Sequence, residues 1–307
     1  MQQRIWYSGL DNYRKNTLDD EKFIVEIQDV NPRGFNTVNE AFAAHLEGAN
    51  LPIEVLYSGG LDSEIVLLSC LMNKIPVVAV TMRLMFRGAP FNISDIYYAE
   101  KFCREHNVKH VIYDLDVEKF FGNGDHIKYA ENYNIQLFVA ITLYWLIEHC
   151  HSCPVLGGDY LWPQTNIDKL AYSPWRRDYN VADLFMSDRG IPGIGNMLSH
   201  SVDSNSMFIK EHLKTYQQEN FKIKMMQNLG FPELEYRHRS HGWEFAKSLE
   251  FDWEKIGFDV FYRLPTYKNI IHWNQFFASL IGGEPGSNDQ FYRRTHQDVY
   301  GDGTFMN

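Results

Sequence analysis

The chain has 307 residues, of which 45% are hydrophobic and 22% charged, so it is suited to one enlarged α/β domain with an appendage or to two domains. Its 39 acidic residues outnumber its 29 basic ones, giving a formal net charge of −10. This charge argues against bulk nucleic-acid binding, because neutralising phosphates needs clustered Lys and Arg. Residues 1–16 lack the apolar core of a signal peptide, and the longest apolar run, residues 137–147, is too short to span a bilayer. We therefore expect a cytoplasmic protein that does not contact membranes.

Residues 1–50 are predicted to be an N-terminal extension of mixed, polar composition. Within it, a short helix is predicted over Asn36–His45, because Thr37 can cap its start and Phe42 with Ala43 gives it an apolar face. This segment is too short to add a second catalytic domain.

From residue 51 the sequence changes to short apolar runs that alternate with helical periodicity. The predicted strands are Ile53–Tyr57, Pro76–Met82, Val108–Leu115 and Val155–Leu156, and the predicted helices are Leu61–Asn73, Ser94–His106 and Ala130–His149. Such alternation is typical of an α/β fold with a buried parallel sheet and helices on both faces. We predict this core over residues 51–165. The turns Ser58–Gly60 and Gly157–Asp159 follow predicted strands, so both should face one crevice at the carboxyl edge of the sheet.

Beyond residue 165 the strand signals fade, and residues 166–307 are predicted to be a mainly helical C-terminal region. Its clearest element is a charged helix over Ser206–Asn228, which Gly230 and Pro232 would end. The segment Gly190–Gly195 is predicted to be a loop, because three of its six residues are glycines.

The four cysteines are too few to form a disulfide framework in a chain of this length. Cys70 and Cys103 lie in apolar helical patterns and are predicted to be core residues. Cys150 and Cys153 form a lone C-x-x-C pair. A zinc site needs about four ligands, so chance spacing near a helix end is favoured over a metal or redox role, although the sequence leaves both open.

The segment Ser58-Gly59-Gly60-Leu61-Asp62-Ser63 carries the strongest chemical signal. A strand ends, two glycines permit a tight turn, and a helix starts at once, so unpaired N–H groups and the positive end of a helix dipole meet there. Such a turn can close around an anion, and the hydroxyls of Ser58 and Ser63 can add donors. Asp62 would repel a phosphate unless Mg²⁺ lies between them. A plain helix cap would use Asp and Ser equally well, but it would not need Ser-Gly-Gly before them.

This segment resembles the Ser-Gly-Gly-x-Asp-Ser loop of the PP-loop ATP pyrophosphatase superfamily, with all six motif positions present. The resemblance implies a sheet and helices of the HUP/PP-loop type. It also implies ATP and Mg²⁺ as cofactors, cleavage of ATP between the α and β phosphates, and adenylylation of a substrate. The pyrophosphate-binding residues would be Ser58, Gly59, Gly60, Leu61, Asp62 and Ser63, with Asp62 as a metal ligand.

The sequence is further similar to the asparagine-synthetase-like branch of that superfamily. There a strand ends near the adenine and Ser-Asp-x-x-x-Ala opens the next helix; here Met82 would end the strand, and Ser94-Asp95 with Ala99 would open the helix. A later turn supplies a second magnesium carboxylate, for which Gly157-Gly158-Asp159 is a shorter match without the branch's Glu. The resemblance therefore implies Gly158 and Asp159 as site residues, although an ordinary turn after a strand would look the same.

The branch also carries a lysine after a C-terminal proline, which stabilises charge during adenylylation. After Pro232 this chain has arginines instead, and the resemblance assigns the role to Arg237 and Arg239. A solvated basic patch is the competing interpretation. Rival phosphate contacts are Arg83, Arg87, Lys169, Arg176 and Arg177.

The expected partners are a small-molecule acceptor with a carboxylate or amide oxygen, and a nitrogen nucleophile. Because Met1 is not followed by a cysteine and residues 1–50 are too short for a glutaminase domain, the nitrogen would come from free ammonia, an amine or a separate donor. The aromatic residues Trp162, Tyr172, Trp175 and Tyr179 could shape the acceptor pocket, although plain core packing explains each of them.

Two other functions stay open at this stage. A thiolating or amidating enzyme acting on tRNA or a nucleobase is disfavoured by the acidic charge and by Cys150 and Cys153 being the only candidate cysteine pair. A non-catalytic nucleotide-binding protein is disfavoured by Asp62, which mere AMP binding would not need. The sequence also leaves a homo-oligomer open.

Overall fold

The computed structural model describes residues 24–25, 34–49, 51–126, 128–129, 138–158, 160, 170–171, 177–215, 218 and 220–234. The chain groups into two compact units that interleave along the sequence. One contains residues 1–57, 61–80 and 135–236, and the other contains residues 58–60, 81–134 and 237–307. The three-part division made from the sequence stays a prediction.

The described elements alternate in the predicted order through the first half of the chain. They are β1 (Ile24–Val25), α1 (Val38–Leu46), β2 (Ile53–Leu56), α2 (Leu61–Met72), β3 (Val77–Phe86), β4 (Ala89–Pro90), α3 (Ile93–Glu105), β5 (Lys109–Asp116) and α4 (Val117–Gly122). The helix predicted near residue 36 is confirmed as α1, and Thr37 caps it by accepting a hydrogen bond from the backbone N–H of Glu40 at 3.2 Å.

The second half supplies a further strand of the sheet and four more helices among the described residues. The elements are α5 (Phe138–Glu148), β6 (Cys153–Leu156), β7 (Leu170–Ala171), α6 (Arg177–Asp188), a 3₁₀ turn (Met197–Ser199), α7 (Val202–Thr215) and α8 (Phe221–Asn228). The prediction of a single helix over Ser206–Asn228 is wrong, because the helix is interrupted between α7 and α8. Asn220 lies there in the left-handed region at φ 55°, a conformation that asparagine tolerates better than most residues.

The sheet is organised around β2, which pairs in parallel with β3 on one side and β6 on the other. Every residue of β2 and of β6 is buried, and successive side chains of a strand point to opposite faces, so both faces are covered. β5 pairs with β3, and β4 returns antiparallel along the end of β3. The predicted α/β fold, a mostly parallel sheet flanked by helices, is confirmed.

The order of the strands creates a switch point at β2. The chain leaves β2 for β3 on one side and comes back for β6 on the other, so the strand order reverses at β2. Open α/β sheets bind ligands in the crevice at such a point.

The helical part of the first unit packs through aromatic side chains. Phe42 on α1 lies 6.4 Å from Phe208 on α7 and 6.3 Å from Phe231, measured between ring centroids, and all three residues are buried. None of the helices in the described part of the chain is both long enough and apolar enough to cross a membrane.

The turn at Cys150–Cys153 is held by hydrogen bonds to a buried carboxylate. Oε2 of Glu54, on the central strand, accepts hydrogen bonds from the backbone N–H groups of His151 and Ser152 at 2.7 and 2.6 Å. Burial raises the pKa of the Cys150 thiol to about 12, so this thiol stays protonated at neutral pH. Within the described ranges, no three His, Cys, Asp or Glu residues are grouped to hold a metal ion.

Acid should destabilise the folded chain through His126, which is fully buried beside the rings of Phe120 and Phe121. Burial lowers the pKa of His126 from 6.5 to about 4, so the folded state binds fewer protons than the unfolded state between these values. The contribution to stability is therefore present above about pH 6.5 and is lost as the pH falls towards 4. His126→Phe removes this titration, so the free energy of unfolding of wild type minus that of the variant should fall by about 1–2 kcal/mol from pH 6.5 to 4.5.

The measurement is urea denaturation at each pH, followed by circular dichroism. His151→Gln, which replaces a ring exposed to solvent, is the control and should keep the wild-type pH dependence. A constant difference between wild type and His126→Phe across this pH range would contradict the assignment.

Candidate functional site

The loop after β2 is held in a conformation that requires glycine. Gly59 has φ +70°, and a Cβ placed on it would lie 2.8 Å from the backbone oxygen of Asp95 and 3.0 Å from Cβ of Tyr98. Both neighbours belong to α3, so the loop and this helix approach each other backbone to backbone. Ser58 beside it is exposed to solvent, whereas Gly59 is buried. The Ser-Gly-Gly turn thus meets the sequence expectation of a tight loop between a strand and a helix.

Helix α2 begins directly after this loop, at Leu61, and carries two carboxylates in its first turn. Glu64 is buried and accepts a hydrogen bond from the Tyr57 hydroxyl at 2.7 Å, so its charge has a structural use. Asp62 is different. Its Oδ2 lies 2.7 Å from Nζ of Lys222, whereas its Oδ1 is shielded from solvent and has no hydrogen-bond partner among the residues that the structure describes. A buried acceptor without a partner is costly to fold, so Oδ1 keeps an unused capacity to bind a ligand.

The turn after β6 closes onto the start of α2. A Cβ on Gly157 would lie 2.6 Å from the backbone carbon and oxygen of Asp62 and 2.7 Å from the backbone nitrogen of Ser63, so a side chain cannot fit there. Gly158 has φ +70°, and a Cβ on it would overlap the side chain of Asn196. The backbone at Gly157 therefore contacts the start of α2, whereas Asp159 lies outside the described residues and its role stays a prediction.

Asn196 belongs to a glycine-rich segment that extends the edge of β6. Ile194 exchanges backbone hydrogen bonds with Pro154 and Leu156, each of 2.9 Å, and the N–H of Gly195 donates to Oδ1 of Asp183 at 2.5 Å. Burial raises the pKa of Asp183 to about 6. The sequence indicated only a loop here, although three glycines in six residues were a signal of close backbone packing.

Lys222 is the functional candidate that sequence reasoning missed. It lies in the first turn of α8, and its ammonium pairs with Asp62 across 160 residues of sequence. The aromatic neighbours of α8 fix its start: the ring of Phe221 stands edge-on to His212, whose Nδ1 lies 2.9 Å from the buried Tyr160 hydroxyl. A lysine in the first turn of a helix is unfavourable for the helix dipole, so its presence there would have indicated that the side chain has another use. Predicting one continuous helix concealed it.

Met82 is not where the sequence prediction placed it. β3 does not end at Met82 but continues to Phe86, because the positive φ angles of Arg87 (49°) and Gly88 (82°) form a two-residue hairpin turn into β4. The carbonyl of Met82 accepts a hydrogen bond from the side chain of Asn92 at 2.8 Å. A strand end with free backbone groups at this position is therefore wrong.

Two of the rival phosphate-binding arginines are engaged elsewhere. Arg83 forms a two-pronged pair with Asp114, at 2.6 and 2.8 Å, and this hydrogen bonding lowers the pKa of Asp114. Arg87 lies 3.7 Å from Glu118. The structure does not describe Asp159, Arg237, Arg239, Lys169 and Arg176, nor the side chain of Arg177, so their roles stay predictions.

No protein-family model and no curated protein sequence matches the chain. Three solved structures are similar at low levels. An NH3-dependent NAD synthetase from Campylobacter jejuni is 13% identical over 88% of this chain and 95% of its own, with a TM-score of 0.29. A predicted subunit of tRNA methyltransferase from Methanocaldococcus jannaschii is 19% identical over 52% and 74%, with a TM-score of 0.29. An NMN synthetase from Francisella tularensis is 12% identical over 65% and 96%, with a TM-score of 0.24. At these scores the fold assignment rests on the strand topology and the site on its own geometry.

Replacing Gly157 should test the close approach of the two segments. Gly157→Ala places a methyl group against the backbone of α2, which cannot withdraw as a flexible side chain would, so we expect a loss of about 2 kcal/mol or more in the free energy of unfolding. Gly48→Ala is the matched control, because its Cβ would meet nothing within 4 Å. Equal stability of the two variants in urea denaturation would refute the packing described here.

Proposed function

We propose that this chain is an ATP-dependent, AMP-forming ligase that binds the pyrophosphate part of ATP at the loop Ser58–Ser63. The observation that carries the proposal is Asp62, a carboxylate in the first turn of α2 with one shielded oxygen that no group in the described part of the chain satisfies. The glycine-dependent turn before it supports the same conclusion, because a glycine turn at a helix start is the kind of backbone that can close around an anion.

The nature of the anion follows from the position of Asp62. A helix N-terminus with glycines would suit many anions, but a carboxylate in the same turn repels a bare phosphate. Mg²⁺ with a nucleotide resolves this conflict, since it takes one or two protein carboxylates together with phosphate oxygens. The unsatisfied Oδ1 of Asp62 fits such an ion, and we propose Asp159 as the second carboxylate. When bound, Mg²⁺ would neutralise phosphate charge and favour departure of pyrophosphate.

The proposed reaction has two steps. A carboxylate or amide oxygen of the acceptor attacks the α-phosphorus of ATP, the bond from that phosphorus to the bridging oxygen breaks, and pyrophosphate leaves with the electron pair. A nitrogen nucleophile then attacks the activated carbon, the bond from that carbon to the oxygen shared with the phosphate breaks, AMP departs with the electron pair, and the nitrogen releases a proton to solvent. The protein contributes positioning and stabilisation of charge: Ser58, Gly59, Gly60, Leu61 and Ser63 would bind the leaving pyrophosphate.

Other parts of the proposal rest on the sequence. Arg237 and Arg239 are proposed as further cations at the developing charge, and residues 166–307 as the region that completes the acceptor site. Free ammonia, an amine or a separate donor would supply the nitrogen.

The reaction class is tested with the full chain, Mg²⁺ and ATP labelled at the α-phosphate, against a panel of carboxylates and amides with ammonium present. The expected products are labelled AMP and unlabelled pyrophosphate, formed only with an accepted substrate. Formation of ADP and phosphate, or no turnover with any acceptor or amine, would contradict the proposal.

Asp62→Asn should lower the rate of pyrophosphate release by about 100-fold or more, because it removes the charge that would hold the metal beside the phosphates. Asp125→Asn, at a carboxylate exposed after α4, is the control and should retain the wild-type rate. Full activity of Asp62→Asn in the same assay would remove Asp62 from the mechanism.

A further inference from the structure

We propose that Lys222 is a phosphate-binding residue that exchanges partners: it pairs with Asp62 when no nucleotide is bound, and with the leaving pyrophosphate when ATP is bound. This inference rests on the proposed function of the Ser58–Ser63 loop. In this proposal, Lys222 is the cation that binds the leaving pyrophosphate. Its pairing with Asp62 has a second effect, because it opposes the binding of a metal ion when no nucleotide is present.

The ion pair is placed where it can open. Nζ of Lys222 lies 2.7 Å from Oδ2 of Asp62, and the two side chains are 27% and 28% exposed. Pairs that solvent reaches are weak, because water screens the attraction and both side chains lose freedom in forming it. The other oxygen, Oδ1, has no hydrogen-bond partner within the described ranges, so Lys222 satisfies only half of the carboxylate. A ligand with more charge can therefore displace this pairing.

The position of Lys222 is unfavourable for its own helix. Helix α8 starts after Asn220, which lies in the left-handed region and makes no side-chain capping hydrogen bond. Its first turn then carries a lysine, whose charge opposes the positive end of the helix dipole. Two helix starts, α2 and α8, thus meet through one carboxylate and one ammonium. The ammonium balances the charge of Asp62, so the positive ends of the two helix dipoles remain available to an anion.

The backbone of Lys222 is anchored although its side chain can move. Phe221 packs edge-on against His212 at 5.4 Å between ring centroids. Tyr160 is stacked on Phe208 at 5.3 Å, and its hydroxyl is hydrogen-bonded to Nδ1 of His212. In these contacts the half-buried Phe221 packs against the buried His212, and they fix the start of α8 without involving the lysine side chain. Lysine has a flexible four-carbon stem, so its ammonium can shift from Asp62 to a phosphate bound beside it while the helix stays in place.

The exchange predicts two opposite effects of removing the charge. Without Lys222, Asp62 loses the cation that competes with a metal, so a divalent ion alone should bind more tightly. Pyrophosphate alone should bind more weakly, because its own counter-ion is missing. A residue that only held α8 against α2 would weaken both kinds of binding together when it is replaced.

The metal arm measures Mn²⁺ binding to the full chain without nucleotide, by the loss of the free Mn²⁺ signal in electron paramagnetic resonance. Lys222→Met should bind Mn²⁺ about tenfold more tightly than wild type. Lys222→Arg, which keeps the charge, and Lys224→Met, at an exposed lysine of the same helix, should both match wild type. Equal Mn²⁺ affinity of Lys222→Met and wild type would overturn the exchange.

The anion arm measures inorganic pyrophosphate binding by calorimetry in the presence of EDTA. Lys222→Met should bind pyrophosphate about tenfold more weakly, whereas Lys224→Met should be unchanged and Lys222→Arg should retain most of the affinity. If wild type and Lys222→Met bind pyrophosphate equally, the exchange is wrong while the proposed function stands. If wild type binds no ATP when Mg²⁺ is present, the proposed function itself fails. Should Lys222→Met not fold, Lys222→Gln replaces it in both arms.

Discussion

The parallel pairing of β2 between β3 and β6 is the constraint on which the rest of the structure depends. Because Leu56 lies in register with both Val80 and Leu156, the chain leaves the sheet at a common edge after each strand. The four residues of β2 and of β6 are all buried, so contacts on both faces of the sheet hold these two strands in place. The register therefore decides which turns can approach α2.

Close backbone packing then turns this edge into a site. Gly157 allows the turn after β6 to touch the first turn of α2, and Gly158 makes room for Asn196 from a third segment. Packing this tight leaves little freedom to rearrange, so a carboxylate at Asp62 is held with one oxygen shielded and unsatisfied. Burying that oxygen without a hydrogen bond costs folding free energy, and this cost distinguishes the start of α2 from an ordinary capped helix start.

An ion pair joins α8, in the helical region, to the candidate site. The charge of Lys222 is unfavourable at the start of its own helix, and it pairs instead with Asp62. The aromatic side chains around His212 hold the start of α8 in the position that this pairing needs. The acidic chain as a whole, at −10, makes such placed cations scarce and therefore informative. In the second unit, Arg83 shows the opposite case, an arginine committed to a carboxylate of its own.

The sequence by itself determined the elements whose signals are local. The alternation of strands and helices, the cap at Thr37 and the strand–loop–helix at Ser58–Ser63 follow from periodicity, side-chain capping and glycine chemistry within a few residues. Only the tertiary structure decided what lies opposite these elements. The pairing of Lys222 with Asp62 spans 160 residues. Contacts of this range are fixed by register and packing, and local patterns carry no record of them.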